Sequence, residues 1–104
     1  MKKQIEQVKE FQKAFGQVVN TEPTLVNRDL SFLRYDLMAE ENEEYLEAVY
    51  NDDIVEVADA LGDQLYVLLG TILSHGMQHI IEDVLTEIHR SNMSKLDEEG
   101  HPII

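Results

Sequence analysis

Five carboxylates stand where solvation does not account for them: Glu40, Glu41 and Glu44 in one stretch, Asp59 and Asp63 in the next. At about 100° per residue, Glu41 and Glu44 fall inside the apolar stripe of Leu30, Leu33, Leu37, Tyr45 and Ala48. Glu40 lies at the edge of that stripe, and Glu43 and Glu47 lie outside it. The stretch from Val57 to Leu73 is apolar almost all round, as a buried helix is, yet it carries Asp59 and Asp63 one turn apart. Glu56 continues their line a turn earlier. A buried carboxylate without a partner loses its charge or destabilises the fold, and several together are worse. Basic side chains would relieve this, but from Tyr35 to His89 there are fourteen Asp or Glu and no Lys or Arg. A divalent cation is the natural remaining partner. Mg²⁺ takes hard oxygen ligands and keeps positions open for water and phosphate, and Mn²⁺ suits the same donors.

Helices must position these acids. Ile5, Val8, Phe11, Phe15 and Val18 recur at helical spacing and predict a first helix over Lys3 to Val18. The run Asn20-Thr21-Glu22-Pro23-Thr24 breaks it and opens an extended connection. A second helix is expected over Asp29 to Tyr50. The turn Asn51-Asp52-Asp53 ends it and also supplies the cap of a third helix, over Ile54 to His75. Gly76 suits the position after that helix, and a fourth is expected over Met77 to Ser91 before an irregular tail. The short turn makes helices two and three an antiparallel hairpin. Glu44 and Asp59 then lie about seven or eight residues either side of the turn, and Glu41 and Asp63 about ten to twelve, so the pairs match in height. The expected fold is all-α, a four-helix bundle-like protomer around a central hairpin, with residues 1–104 as one domain.

Composition narrows the function. The net charge of −13 argues against binding nucleic acid or an anionic membrane, both of which need clustered Lys and Arg. The absence of cysteine removes disulfides and thiolate metal sites and fits a reducing cytoplasm. The charged N-terminus is not a signal peptide, and the apolar run from Ala58 to Leu73 contains two carboxylates, which a membrane span would not. A soluble, cytoplasmic protein is expected. Helix three is apolar over more of its girth than so short a chain can cover, which predicts a homodimer or homotetramer.

The segment Leu37-Met38-Ala39-Glu40-Glu41-Asn42-Glu43-Glu44, followed by Asp59-Ala60-Leu61-Gly62-Asp63-Gln64-Leu65-Tyr66, resembles the EExxE…ExxD signature of the MazG-like all-α nucleoside triphosphate pyrophosphohydrolases. The closing Arg90-Ser91-Asn92-Met93-Ser94-Lys95 and the opening Glu10-Phe11-Gln12-Lys13-Ala14-Phe15-Gly16 are similar to the phosphoribosyl-ATP pyrophosphohydrolase-like branch, so the likeness spans most of the chain. The resemblance implies an Mg²⁺-dependent enzyme that splits a nucleotide between its α- and β-phosphates, with Glu41, Glu44, Asp59 and Asp63 as metal ligands. Glu40, at the motif's edge, is then the first choice to take the attacking water's proton. The chain departs from the signature at Ala60, where the motif has Glu; Asp59 lies on nearly the same face and stands as its substitute.

Read as residues alone, Arg90 and Lys95 serve equally as helix-dipole partners or as phosphate contacts. The resemblance favours Asn92 and Lys95, with Arg90, as substrate contacts. Arg34 faces the acid row and is expected either to pair with a carboxylate or to hold a phosphate. His75 and His79 are four apart, but Gly76 between them at a helix end breaks the register a metal pair needs, and surface positions near a turn are expected. Tyr45 and Tyr66 are expected as core aromatics with hydroxyls turned to a polar pocket. The leading reading is a nucleoside triphosphate pyrophosphohydrolase. Its rivals are phosphoribosyl-ATP or a narrower dUTP or dCTP as substrate, and a non-catalytic acidic helical dimerisation module.

Overall fold

The computed structural model describes residues 1–103, and they form four helices: α1 Lys2–Ala14, α2 Arg28–Tyr50, α3 Ile54–Ser74 and α4 Ile81–Met93. No strand forms among the described residues; one isolated antiparallel bridge joins Leu96 to Pro102 in the tail. The all-α expectation and the α2/α3 hairpin hold.

Helix ends follow local chemistry. Asn27 caps α2 through its side chain, which accepts from the Leu30 amide at 2.8 Å. Asp53 caps α3 by accepting from Val55 and Glu56 at 3.0 and 3.1 Å. These bonds satisfy amides that a helix start leaves free. Three helices close with the same paired backbone bonds. After α2, Asp52 adopts φ 52° and the Asp53 and Asp52 amides turn back to Ala48 and Val49. After α3, Gly76 takes φ 67°, with the Met77 and Gly76 amides donating to Ile72 and Leu73. The same motif at Gly16 stops α1 at Ala14, four residues short of the expected Val18. The fourth helix also starts later than expected, because Met77 to Ile80 form turns and the continuous helix begins at Ile81.

α1 lies on α3, and the core is Ile5, Val8, Leu69 and Leu73, flanked by Val19, Ile72 and Ile81. The connection after α1 is tied to the end of α3: the Asn20 amide donates to Leu73, the Thr24 amide to His75, and the Ser74 hydroxyl to Val18. His75 is half-buried, its Nδ1 3.0 Å from the Thr24 carbonyl oxygen, while His79 is exposed. The apolar face expected of α1 is corrected in part. Phe15 is exposed at 69%, whereas Gln12 is buried. Gln12 and Arg34 pack over Gly70, where a Cβ would collide with Gln12 Oε1 and come within 2.6 Å of Arg34 Nη2. Gly70 therefore lets two polar side chains approach α3 closely.

α4 has no buried residue and forms no substantial packing with any other helix. It leaves the body at Ile81 instead of closing a bundle. The radius of gyration, 16.7 Å, exceeds the roughly 13 Å expected of a compact chain of this length.

Candidate functional site

The hairpin brings Glu41 and Glu44 of α2 against Asp63 of α3, with one carboxylate oxygen from each within 4.8 Å of the others. Glu41 and Asp63 are half-buried and Glu44 is exposed, so the trio opens to solvent on one side. Glu41 Oε2 is buried without a hydrogen-bond partner. No Lys, Arg or His lies within salt-bridge distance of any of the three among the described residues.

This crowding moves the acidities. Burial first, then a hydrogen bond to Glu44, then the charges of Glu44, Asp63 and Glu40, push Glu41 from 4.5 to about 7. Asp63 is also raised, by burial and then by the charges of Asp59 and Glu44. Like charges converge in a partly dehydrated place, so each opposes its neighbour's ionisation. An orphaned carboxylate oxygen within a set of hard donors fits a hard divalent cation, which would hold Glu41 and Asp63 ionised.

The other residues singled out by sequence are distributed around this trio. Glu40 is exposed at its rim, and its charge is felt at Glu41. Asp59 lies outside the trio, one turn nearer the hairpin tip. It lines a separate polar recess of about 340 Å³ with Glu44, Glu47, Asn51, Glu56 and the buried Ala60. Glu44 borders both, so the two acid groups are continuous. Arg34 faces the acid side but is buried, and of the two alternatives expected for it the carboxylate pair does not form among the described residues. Its guanidinium donates to Thr71 Oγ1 at 3.0 Å, Gln17 Oε1 at 3.3 Å and the Val67 carbonyl at 2.8 Å. It also lines the pocket beside the trio. Arg90, Asn92 and Lys95 belong to α4 and its end, away from the hairpin. Arg90 pairs with Glu87 at 2.6 Å, and Lys95 donates to Asn92 Oδ1 at 2.9 Å.

Beside the trio is a pocket of about 270 Å³ bounded by Glu41, Asp63, Arg34, Leu37 and Tyr66, with Phe11, Gln12 and Gln17 from α1 and its exit. Tyr66 stands edge-on to Phe11, their centroids 5.7 Å apart, and is thus less enclosed than a core aromatic. Sequence reasoning misses the α1 side of this pocket. One signal is present: Gln12 sits four residues after Val8, on the face that should be apolar.

A match to the family described as Phosphoribosyl-ATP pyrophosphohydrolase covers residues 8–92, most of the chain. The chain belongs to the phosphoribosyl-ATP pyrophosphohydrolase family. It is accordingly a pyrophosphohydrolase, a hydrolase acting on phosphoric anhydrides, and the resemblance read from the sequence holds at that level. The matched span contains all five acids, Arg34, Arg90 and Asn92, and ends before Lys95. No curated protein matches the chain. No helix among the described residues is long and apolar enough to cross a membrane.

Proposed function

We propose that the chain, as one domain over residues 1–104, is an Mg²⁺-dependent nucleotide pyrophosphohydrolase, with Mn²⁺ an acceptable substitute. It converts a nucleoside or deoxynucleoside triphosphate to the monophosphate and pyrophosphate. The observation that carries the reading is the buried, unpartnered Glu41 Oε2 within the trio of Glu41, Glu44 and Asp63. These three would hold the cation, and Asp59 would join them directly or through water. When bound, the cation supplies neutralisation of phosphate charge and polarisation of the α-phosphorus.

The protein's own groups supply the rest. Glu40 accepts a proton as water attacks the α-phosphorus, and the bond to the bridging oxygen breaks to release pyrophosphate. Its exposed position at the rim suits a group that must exchange that proton with solvent. The neighbouring pocket, with Phe11, Tyr66 and two glutamines, suits the base or sugar. Asn92 and Lys95, with Arg90, are read as phosphate contacts that reach the acids only when an α4 is brought over them. Arg34 is assigned instead to holding α1's exit against α3, which shapes the pocket wall.

A homo-oligomer is part of this reading. The accessible surface, 8003 Å², is about 2,000 Å² more than a compact chain of 12.0 kDa exposes. The family match favours one alternative substrate, phosphoribosyl-ATP, whose triphosphate presents the same anhydride. A panel of nucleoside triphosphates and phosphoribosyl-ATP, assayed for pyrophosphate release with Mg²⁺ and with EDTA, tests the assignment. Release of pyrophosphate from none of them with Mg²⁺, or release undiminished by EDTA, refutes it.

A further inference from the structure

The pocket beside the acids has a polar wall that the protein's own groups leave partly unsatisfied. Gln12 is 2% exposed and Arg34 4% exposed, and both line the pocket, although polar side chains of this length are seldom so deeply buried. Gln12 Nε2 donates to the Val18 carbonyl at 3.1 Å, which fixes the amide: turned over, it would set its own oxygen against that carbonyl. Gln12 Oε1 accepts no hydrogen bond among the described residues and is not sealed from solvent, so it opens on the pocket.

The groups beside it are fixed as well. Gln12 Oε1 and Arg34 Nη2 both crowd the space over Gly70 where a Cβ would stand, so they are neighbours. Arg34 commits three N–H groups, to Thr71, Gln17 and the Val67 carbonyl, and a guanidinium has five, which leaves one on Nη1 and one on Nη2. A guanidinium cannot accept, so the Gln17 oxygen faces Nη1 and the N–H groups of Gln17 Nε2 are spare. Arg34 thus stands between the two glutamines, and the wall reads acceptor, donor, donor from Gln12 to Gln17. Phe11, Leu37 and Tyr66 supply apolar surface around it.

We propose that this wall reads the base of the substrate and selects cytosine. A ligand edge that satisfies it carries a donor, an acceptor and an acceptor, in that order. Cytosine presents its amino group, N3 and O2 in that order along its Watson–Crick edge, the edge by which enclosed bases are read. Uracil presents acceptor, donor, acceptor; guanine presents acceptor, donor, donor; adenine lacks the third group. Gln12 Oε1 accepts from the amino group, Arg34 donates to N3 and Gln17 donates to O2. A base without this edge leaves a buried wall group unpaired, which is how a site built to hydrogen-bond its ligand rejects a near relative. The proposal rests on the reading of the chain as a nucleotide pyrophosphohydrolase and adds the preferred base and the residues that select it.

Pyrophosphate release with Mg²⁺ gives kcat/KM for dCTP, dUTP, dATP, dGTP and phosphoribosyl-ATP, and for the pyrimidin-2-one deoxynucleoside triphosphate, which lacks only the amino group of dCTP. NMR titration with deoxycytidine and deoxyuridine in EDTA reads the wall without turnover. dCTP should exceed each of the others by about ten-fold or more, because each leaves at least one wall group unpaired. Gln12→Met keeps the length of the side chain, and the Val18 carbonyl keeps the Ser74 hydroxyl, so the fold is retained. This variant should bring dCTP and the pyrimidin-2-one nucleotide within about two-fold of each other. Turnover without preference for dCTP overturns the proposal and leaves the pyrophosphohydrolase reading intact. No turnover, with deoxycytidine bound about ten-fold more tightly than deoxyuridine, overturns the activity and keeps the cytosine wall. Neither turnover nor preferential binding overturns both. Equal kcat/KM for dCTP and the pyrimidin-2-one nucleotide in the unaltered enzyme, or a dCTP preference that survives Gln12→Met in full, overturns the assignment of the amino group to Gln12.

Discussion

Replacing Glu41 by glutamine should stabilise the metal-free protein at alkaline pH and leave it unchanged in acid. Burial and its acidic neighbours raise Glu41 from 4.5 to about 7, so the folded protein holds this proton more tightly than the unfolded chain does. Below pH 4.5 both states are protonated and no penalty exists. As pH rises from 4.5 to 7 the unfolded chain ionises first and stability falls; above 7 the penalty is constant. Taken at full strength the shift corresponds to about 3 kcal/mol, and partial contact with solvent reduces it to about 1–2 kcal/mol. Glutamine keeps the shape and removes the ionisation. In urea titrations with EDTA at one fixed chain concentration, Glu41→Gln should gain about 1–2 kcal/mol at pH 8 and nearly nothing at pH 5. Adding Mg²⁺ should reverse the order at pH 8, because the cation stabilises the unaltered protein and finds one ligand fewer in the variant. A variant less stable than the unaltered protein at pH 8 without metal would refute the reasoning, since it would mean that the carboxylate is part of a supporting ion-pair network.

Asp63→Asn and Glu44→Gln should each abolish pyrophosphate release without loss of metal-free stability, whereas Glu43→Gln and Glu47→Gln, off the acid face, should retain turnover within about two-fold. Asp59→Asn should match the first group if its carboxylate serves as a ligand in place of the glutamate absent at Ala60, and the second group if it acts only through its charge at Asp63. Arg34→Ala should lower the unfolding free energy by about 3 kcal/mol in denaturant titration, since it removes three hydrogen bonds and takes the Arg34 donor from Gln17 and Thr71, while Val67 keeps the Thr71 hydroxyl. Unchanged stability with a raised KM would show instead that Arg34 holds a phosphate.

The hairpin and its acid row are legible in the sequence because their periods are long and their boundaries are written in the local chemistry. Asn51-Asp52-Asp53 ends one helix and caps the next, so the heights of Glu41 and Asp63 come from counting. Asp59 shows the limit of counting. It matches Glu44 in distance from the turn, yet the trio closes around Asp63, because oxygen positions depend on side-chain length and direction as well as on height. Arg34 falls on the predicted face, but no carboxylate pairs with it among the described residues. Its three acceptors belong to α3 and to the exit from α1, and pairing across such sequence distance leaves no periodic trace. The same holds for α4. Its apolar residues recur regularly enough to predict a helix, but the period does not reveal whether this chain or another covers it.

The hairpin has two faces of incompatible character, one acidic and one apolar, and its helical geometry separates them. On the acid face like charges converge, which opposes folding, and the proposed cation would relieve it. Any stabilisation that offsets this must come from elsewhere, and α1 covers only the end of the hairpin that holds Leu69 and Leu73. The opposite face carries a broad uncovered set of aliphatic side chains, and its groove has no charge. Covering it in the proposed homo-oligomer would contribute stability at a site remote from the acids, so the proposed metal centre could stay open and strained. Substitutions at Leu61 or Leu65 should accordingly weaken activity by way of assembly, with the loss recovered at higher chain concentration. Substitutions at Glu41 or Asp63 should weaken activity at every concentration. Activity measured across a dilution series distinguishes the two faces of the hairpin, and equal dilution dependence for both groups of variants would show that the acids and the apolar seam are not separate.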